Sequence, residues 1–167
     1  GWTAYRVRIH APGFEQVVSG SLLRADWEVA VFATDFDPRT EPEAWQSALS
    51  GALAKSPLHL RELRLPYGGG SPRDVAPLRE AAGEEGAATF PGNEHFGTVA
   101  RTRLQLPAGL WRITTLSDDG VRVRASTAAE PVIQNWTWHG PTSDQGEFRI
   151  DARAAADPAG VEIFVEH

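Results

Sequence analysis

The chain of 167 residues contains no cysteine and no methionine, and its one lysine is Lys55. The missing cysteine excludes disulfides, thiolate zinc sites and cysteine nucleophiles. The near-absence of lysine is offset by arginine. A formal net charge of -6 argues against a nucleic-acid partner, because phosphate contacts need a basic face. No apolar run is long enough to span a bilayer, and no secretory signal opens the chain. With Gly1 at the start and no methionine anywhere, the expectation is one domain over residues 1–167, excised from a larger multidomain protein.

What is present reads mostly as strand. Tyr5, Val7 and Ile9 alternate in an opening strand, with a loop expected to follow up to Ser19. Trp27, Val29 and Val31 alternate with Glu28 and Ala30. Leu58 and Leu60 share one parity while Leu63 and Leu65 share the other, which predicts a bulge or bend between them. Further strands are expected over 98–106, 110–117, 121–125, 131–136, 147–152 and 161–165, separated by glycine, proline and aspartate turns. Many short strands at this spacing predict an antiparallel β-sandwich or barrel.

One helix stands out over residues 40–51. Thr40 and Glu43 have capping-box spacing, Pro42 lies in the first turn, and Gly51 can close the end. Trp45, Ala48 and Leu49 make its apolar face. Residues 68–93, glycine-rich at first and then acidic and alanine-rich, are expected to form a long surface loop with one helical turn near Pro77 to Ala82.

Ser117-Asp118-Asp119-Gly120 is the stretch that bears on function. Asp-Gly between alternating runs is a strong hairpin signal, with Val121, Val123 and Ala125 facing the core on the outgoing strand. The other reading makes Asp118 and Asp119 oxygen ligands of Ca²⁺. His139 could pair with either acid in a hydrolase, but no catalytic elbow, zinc or phosphate-binding motif accompanies it. Of the two tryptophans in Asn135-Trp136-Thr137-Trp138-His139, Trp136 is expected in the core. Trp138 is open between core and an exposed face suited to stacking on a sugar ring.

Leu106-Pro107-Ala108-Gly109-Leu110-Trp111-Arg112-Ile113, Ser117-Asp118-Asp119-Gly120-Val121-Arg122-Val123 and Val132 to Thr142, with the closing strand Gly160 to Glu166, resemble the protective-antigen-type domain. This is the fourteen-kilodalton β-sandwich module named for anthrax protective antigen and found also in yeast flocculins. The likeness is specific over residues 96–166. It implies a β-sandwich, which with the strands, helix and loop read above makes an antiparallel β-sandwich with one short helix and a long loop, serving as a non-catalytic carbohydrate-binding or surface-recognition module. It implies an extracellular or cell-surface location, a glycan or cell-surface ligand, and further domains of a parent protein as partners. In its sugar-binding members the acidic pair is joined by a cis peptide and holds Ca²⁺. Asp118 and Asp119 match that pair, and Asn135 is the candidate for a further ligand. The alternative is a structural or protein-interaction domain with no small ligand. The Asp-Gly turn usual after the following strand is replaced here by Ala125 to Glu130.

Overall fold

The computed structural model describes residues 2–55 and 57–167. Ten strands and three α-helices follow one another: β1 (Trp2–Ala11), β2 (Phe14–Leu23), β3 (Trp27–Ala33), α1 (Pro42–Ala54), β4 (Leu58–Leu60), α2 (Ala76–Ala88), β5 (Phe96–Leu104), β6 (Gly109–Ser117), β7 (Val121–Ala125), β8 (Ile133–Asn135), β9 (Thr142–Ile150), α3 (Ala152–Ala156) and β10 (Val161–Glu166). A six-stranded antiparallel sheet runs β4-β3-β5-β10-β7-β8, and β6 pairs only with β9 in a second, two-stranded sheet. Their facing side chains form the sandwich core, with Val121, Val123, Ile133, Val161 and Ile163 from one layer meeting Phe148 and Ile150 from the other.

The same face of the large sheet continues toward β3, where α2 covers it through Leu78 and Ala87. The opposite face takes α1, whose Trp45 and Leu49 pack on Ala30 and Val99. Period-two alternation in strands and one apolar stripe on a helix are enough to place these layers.

Several expectations change. Among the described residues there are three α-helices where one was expected, and the single helical turn expected near Pro77 to Ala82 in the 68–93 loop is part of a longer helix. A 3₁₀ turn, Pro72–Asp74, opens with a Ser71 capping box and leads into the thirteen-residue α2. Leu78 is fully buried there, and tertiary packing of that residue outweighs the weak apolar pattern of the segment. Gly83, at φ 70°, kinks α2 and divides the pattern that would have revealed it. In α1 the N-cap is Glu41 without a side-chain cap bond, and Gly51 lies inside the helix, which runs on to Ala54. Leu63 and Leu65 lie beyond β4 but still pack on the α2 core. β9 begins at Thr142, five residues earlier than expected. The loop expected before Ser19 is instead β2, paired with β1 across a Pro12-Gly13 turn with Gly13 at φ 76°.

Candidate ligand site at the Asp118–Asp119 turn

Ser117 ends β6 in the small sheet and Val121 begins β7 in the large one, so the acidic turn crosses between layers. The hairpin expectation fails because the two flanking strands pair with other partners. The hairpin turn also needed positive φ at its glycine, and Gly120 is not among the residues that have it. Its role is close approach: a Cβ there would lie 2.9 Å from the Thr137 carbonyl oxygen and 3.3 Å from that of Asn135. Gly120 therefore seats the acidic turn against the backbone of 135–137.

The peptide joining Asp118 to Asp119 is cis. Both residues are exposed. Asp119 Oδ1 accepts a hydrogen bond from the backbone amide of His139 at 3.2 Å. The Asp118 carbonyl accepts one from His167 Nε2 at 3.1 Å. Burial holds the His167 ring below the ordinary histidine range, against the opposing pull of the Asp118 carbonyl and of the two nearby carboxylates. Tyr67 stacks on that ring at 6.0 Å between centroids and shares a 2.6 Å hydrogen bond with the Thr98 hydroxyl. Burial pushes the Tyr67 hydroxyl up to about 12, so it stays neutral.

On the far side of the turn, β8 ends at Asn135 and strand alternation ends with it. Trp136 turns inward, edge-on to Trp45 at 5.1 Å and under the Arg122 guanidinium at 4.7 Å. Trp138 turns outward and is 69% exposed. The Arg39 guanidinium stands 4.9 Å from its ring centre and is gripped by both carboxylate oxygens of Asp37. That grip holds the Asp37 carboxyl at about 2, well below its usual range. Asn135 uses its amide to tie the turn together: Nδ2 donates to Asp144 at 3.0 Å, and Oδ1 accepts from the Thr137 hydroxyl at 2.8 Å.

Asp118, Asp119, Asn135 and Trp138 are thus brought to one end of the sandwich by β6, β7 and β8. The catalytic pairing of His139 does not form through its ring. Nδ1 donates to the Gly140 carbonyl at 2.8 Å, and Nε2 is buried without a partner among the described residues. Arg39, Asp37 and His167 were not foreseen. The acid and base spaced two apart around Pro38 were the available signal for the first pair.

Among the described residues no three His, Asp or Glu side chains stand close enough to hold a metal by themselves. No helix among them is long and apolar enough to cross a membrane. No family model matches the sequence, and no curated protein does. Among solved structures, a "PA14 sugar-binding domain from RTX adhesin" superposes with a TM-score of 0.50 at 13% identity, over 87% of this chain and 82% of that one. The identity is too low to transfer any residue's role, but the architecture is shared. The chain has the protective-antigen-type β-sandwich fold.

Proposed function

We propose that the chain is a non-catalytic carbohydrate-binding module in which Asp118 and Asp119 hold Ca²⁺ beside an aromatic platform, Trp138. The observation that carries this reading is their adjacency. Asp119 is bonded to the amide of the residue that follows the exposed indole, so carboxylates and a flat apolar surface share one small area. A sugar presents both hydroxyl oxygens and apolar ring faces, and these two features answer both.

The donor chemistry suits calcium. Among the described residues, neither oxygen of the Asp118 carboxylate is engaged by a hydrogen bond or ion pair, and Asp119 has only one oxygen engaged. Ca²⁺ takes several oxygen ligands of mixed kind. Two carboxylates leave the remaining positions to neutral oxygens, such as Asn135 Oδ1 and sugar hydroxyls. The ion would supply charge that orients those hydroxyls, while the protein fixes the carboxylates and the platform.

The likeness to a sugar-binding adhesin domain supports the same reading and goes with an extracellular or cell-surface setting within a larger protein. A second reading, in which the acids only brace loops, draws on the Asp119–His139 bond. A glycan array read with calcium and with chelator separates them. Calcium-dependent retention of particular glycans, lost in Trp138→Ala, supports binding; retention of none supports bracing.

A further inference from the structure

β3 is paired along only part of one edge. β4 covers residues 27–29 of it and starts at Leu58, directly after Pro57. On the other edge β5 pairs with β3 as far as Ala33. The Thr34 amide donates to the His95 carbonyl at 2.7 Å, which continues that register. Antiparallel alternation then turns the main-chain groups of Ala30 and Phe32 toward β5. Those of Val31 and Ala33 point to the open edge, where no partner meets them among the described residues.

The open edge is the floor of a cleft of about 960 Å³. α1 packs on one face of the sheet beside it and α2 on the other. The facing walls carry small residues: Ala48, Gly51 and Ala52 from α1, and Ala81, Ala82 and Gly86 from α2. Lys55 lines the same cleft and has no ion-pair partner among the described residues. We propose that the cleft takes up an extended peptide of a partner protein as an added strand against β3. Its large apolar side chains alternate toward the two walls, and it supplies a carboxylate to Lys55.

The main chain of β3 selects that occupant. Unmet donors and acceptors along a strand edge are answered by the main chain of another strand. A helix spends its own main-chain groups internally, and a compact apolar ligand would fill the cleft while leaving Val31 and Ala33 unmet. An added strand lies in the plane of the sheet, about 4.8 Å from its neighbour, and sends successive side chains to opposite faces. One set therefore meets α1 and the next meets α2. The small wall residues leave the room that large side chains need, and the unpaired ammonium of Lys55 sets the sign of the charge.

Panning a phage-displayed library of random seven-residue peptides on the 167-residue chain is the test. Enriched sequences should alternate large apolar residues and carry Asp or Glu. Fluorescence anisotropy of the most enriched peptide should show affinity reduced roughly tenfold or more by Gly51→Leu and by Lys55→Glu. N-methylation of one alternate set of peptide amides should weaken binding as much, and methylation of the other set far less. Gly51→Leu should keep its fold, because a Cβ there meets nothing within 4 Å and leucine favours a helix over glycine. Thermal melting checks this. Hydrogen exchange reads the wild-type chain directly. The amides of Val31 and Ala33 should exchange faster than those of Ala30 and Phe32 in the free chain and slow when the peptide binds. No enrichment, binding indifferent to Gly51→Leu, a bound peptide in helical form, or unchanged exchange at Val31 and Ala33 would each overturn the proposal.

Discussion

Asp119 Oδ1 accepts a hydrogen bond from the backbone amide of His139, whereas neither carboxylate oxygen of Asp118 accepts one from the described residues. Two adjacent acids therefore differ in structural duty. Replacing Asp119 by Ala removes one partly solvated hydrogen bond and is expected to cost about 1 kcal/mol of stability. Replacing Asp118 by Ala should change stability by less than about 0.5 kcal/mol. Urea denaturation of the two variants in chelator checks this, and equal losses would contradict the assignment.

Gly120 makes its own prediction. A methyl group there meets the Thr137 backbone at 2.9 Å, and backbone cannot step aside as a flexible side chain can. Gly120→Ala is expected to destabilise by about 1–3 kcal/mol. It should also shift the amide resonances of 135–139 more than those of β7. Wild-type stability in that variant would mean the acidic turn is not seated as described.

Behind the site lies Glu166, whose side chain is 1% exposed and is bound by Arg122 at 2.6 and 2.7 Å and by Trp45 Nε1 at 2.9 Å. Arg122 in turn supports the Trp136 ring. Glu166→Ala leaves a largely buried guanidinium without its counter-charge, and a loss of about 3–5 kcal/mol is expected. Thermal denaturation reads it. A loss below about 1 kcal/mol would show that the network is dispensable.

The Asp37–Arg39 pair gives a pH dependence. The Arg39 hydrogen bonds lower the folded Asp37 carboxyl from 3.8 to about 2. A depressed carboxyl contributes stability that is present above its unfolded value and is lost as pH falls through the folded one. In the window around pH 2, where the folded carboxyl takes up its proton, Arg39 should therefore be released from its grip, and its stacking on Trp138 should loosen. The difference in fluorescence between wild type and Trp138→Phe should change across that window. In Asp37→Asn it should be flat.

Much of the sandwich was legible in the sequence because one face of each long strand is buried. Val121, Val123 and Ala125 alternate cleanly, and β7 has the expected bounds. β9 was partly hidden because its first half, Thr142 to Gly146, carries no apolar residue at the inward positions. There the backbone of Val132 crosses so closely that a Cβ on Gly146 would collide with its carbonyl. The acid pair was legible as a motif but not as a crossover. Local turn chemistry names a hairpin, and only the partners of β6 and β7 decide against it. Trp138 stayed open in the sequence for a related reason, since parity with Trp136 has no force past Asn135. Arg39 and His167 reach the site from distant parts of the chain, and no spacing rule links them to it.

Calorimetric titration of calcium into the chelator-treated chain, repeated on Asp118→Asn and Asp119→Asn, bears most directly on the proposed site. Saturable binding of one ion by the wild type is expected, with a rise in melting temperature that grows with calcium concentration and vanishes in both variants. Heats no larger than dilution, with a melting temperature indifferent to calcium, would contradict it.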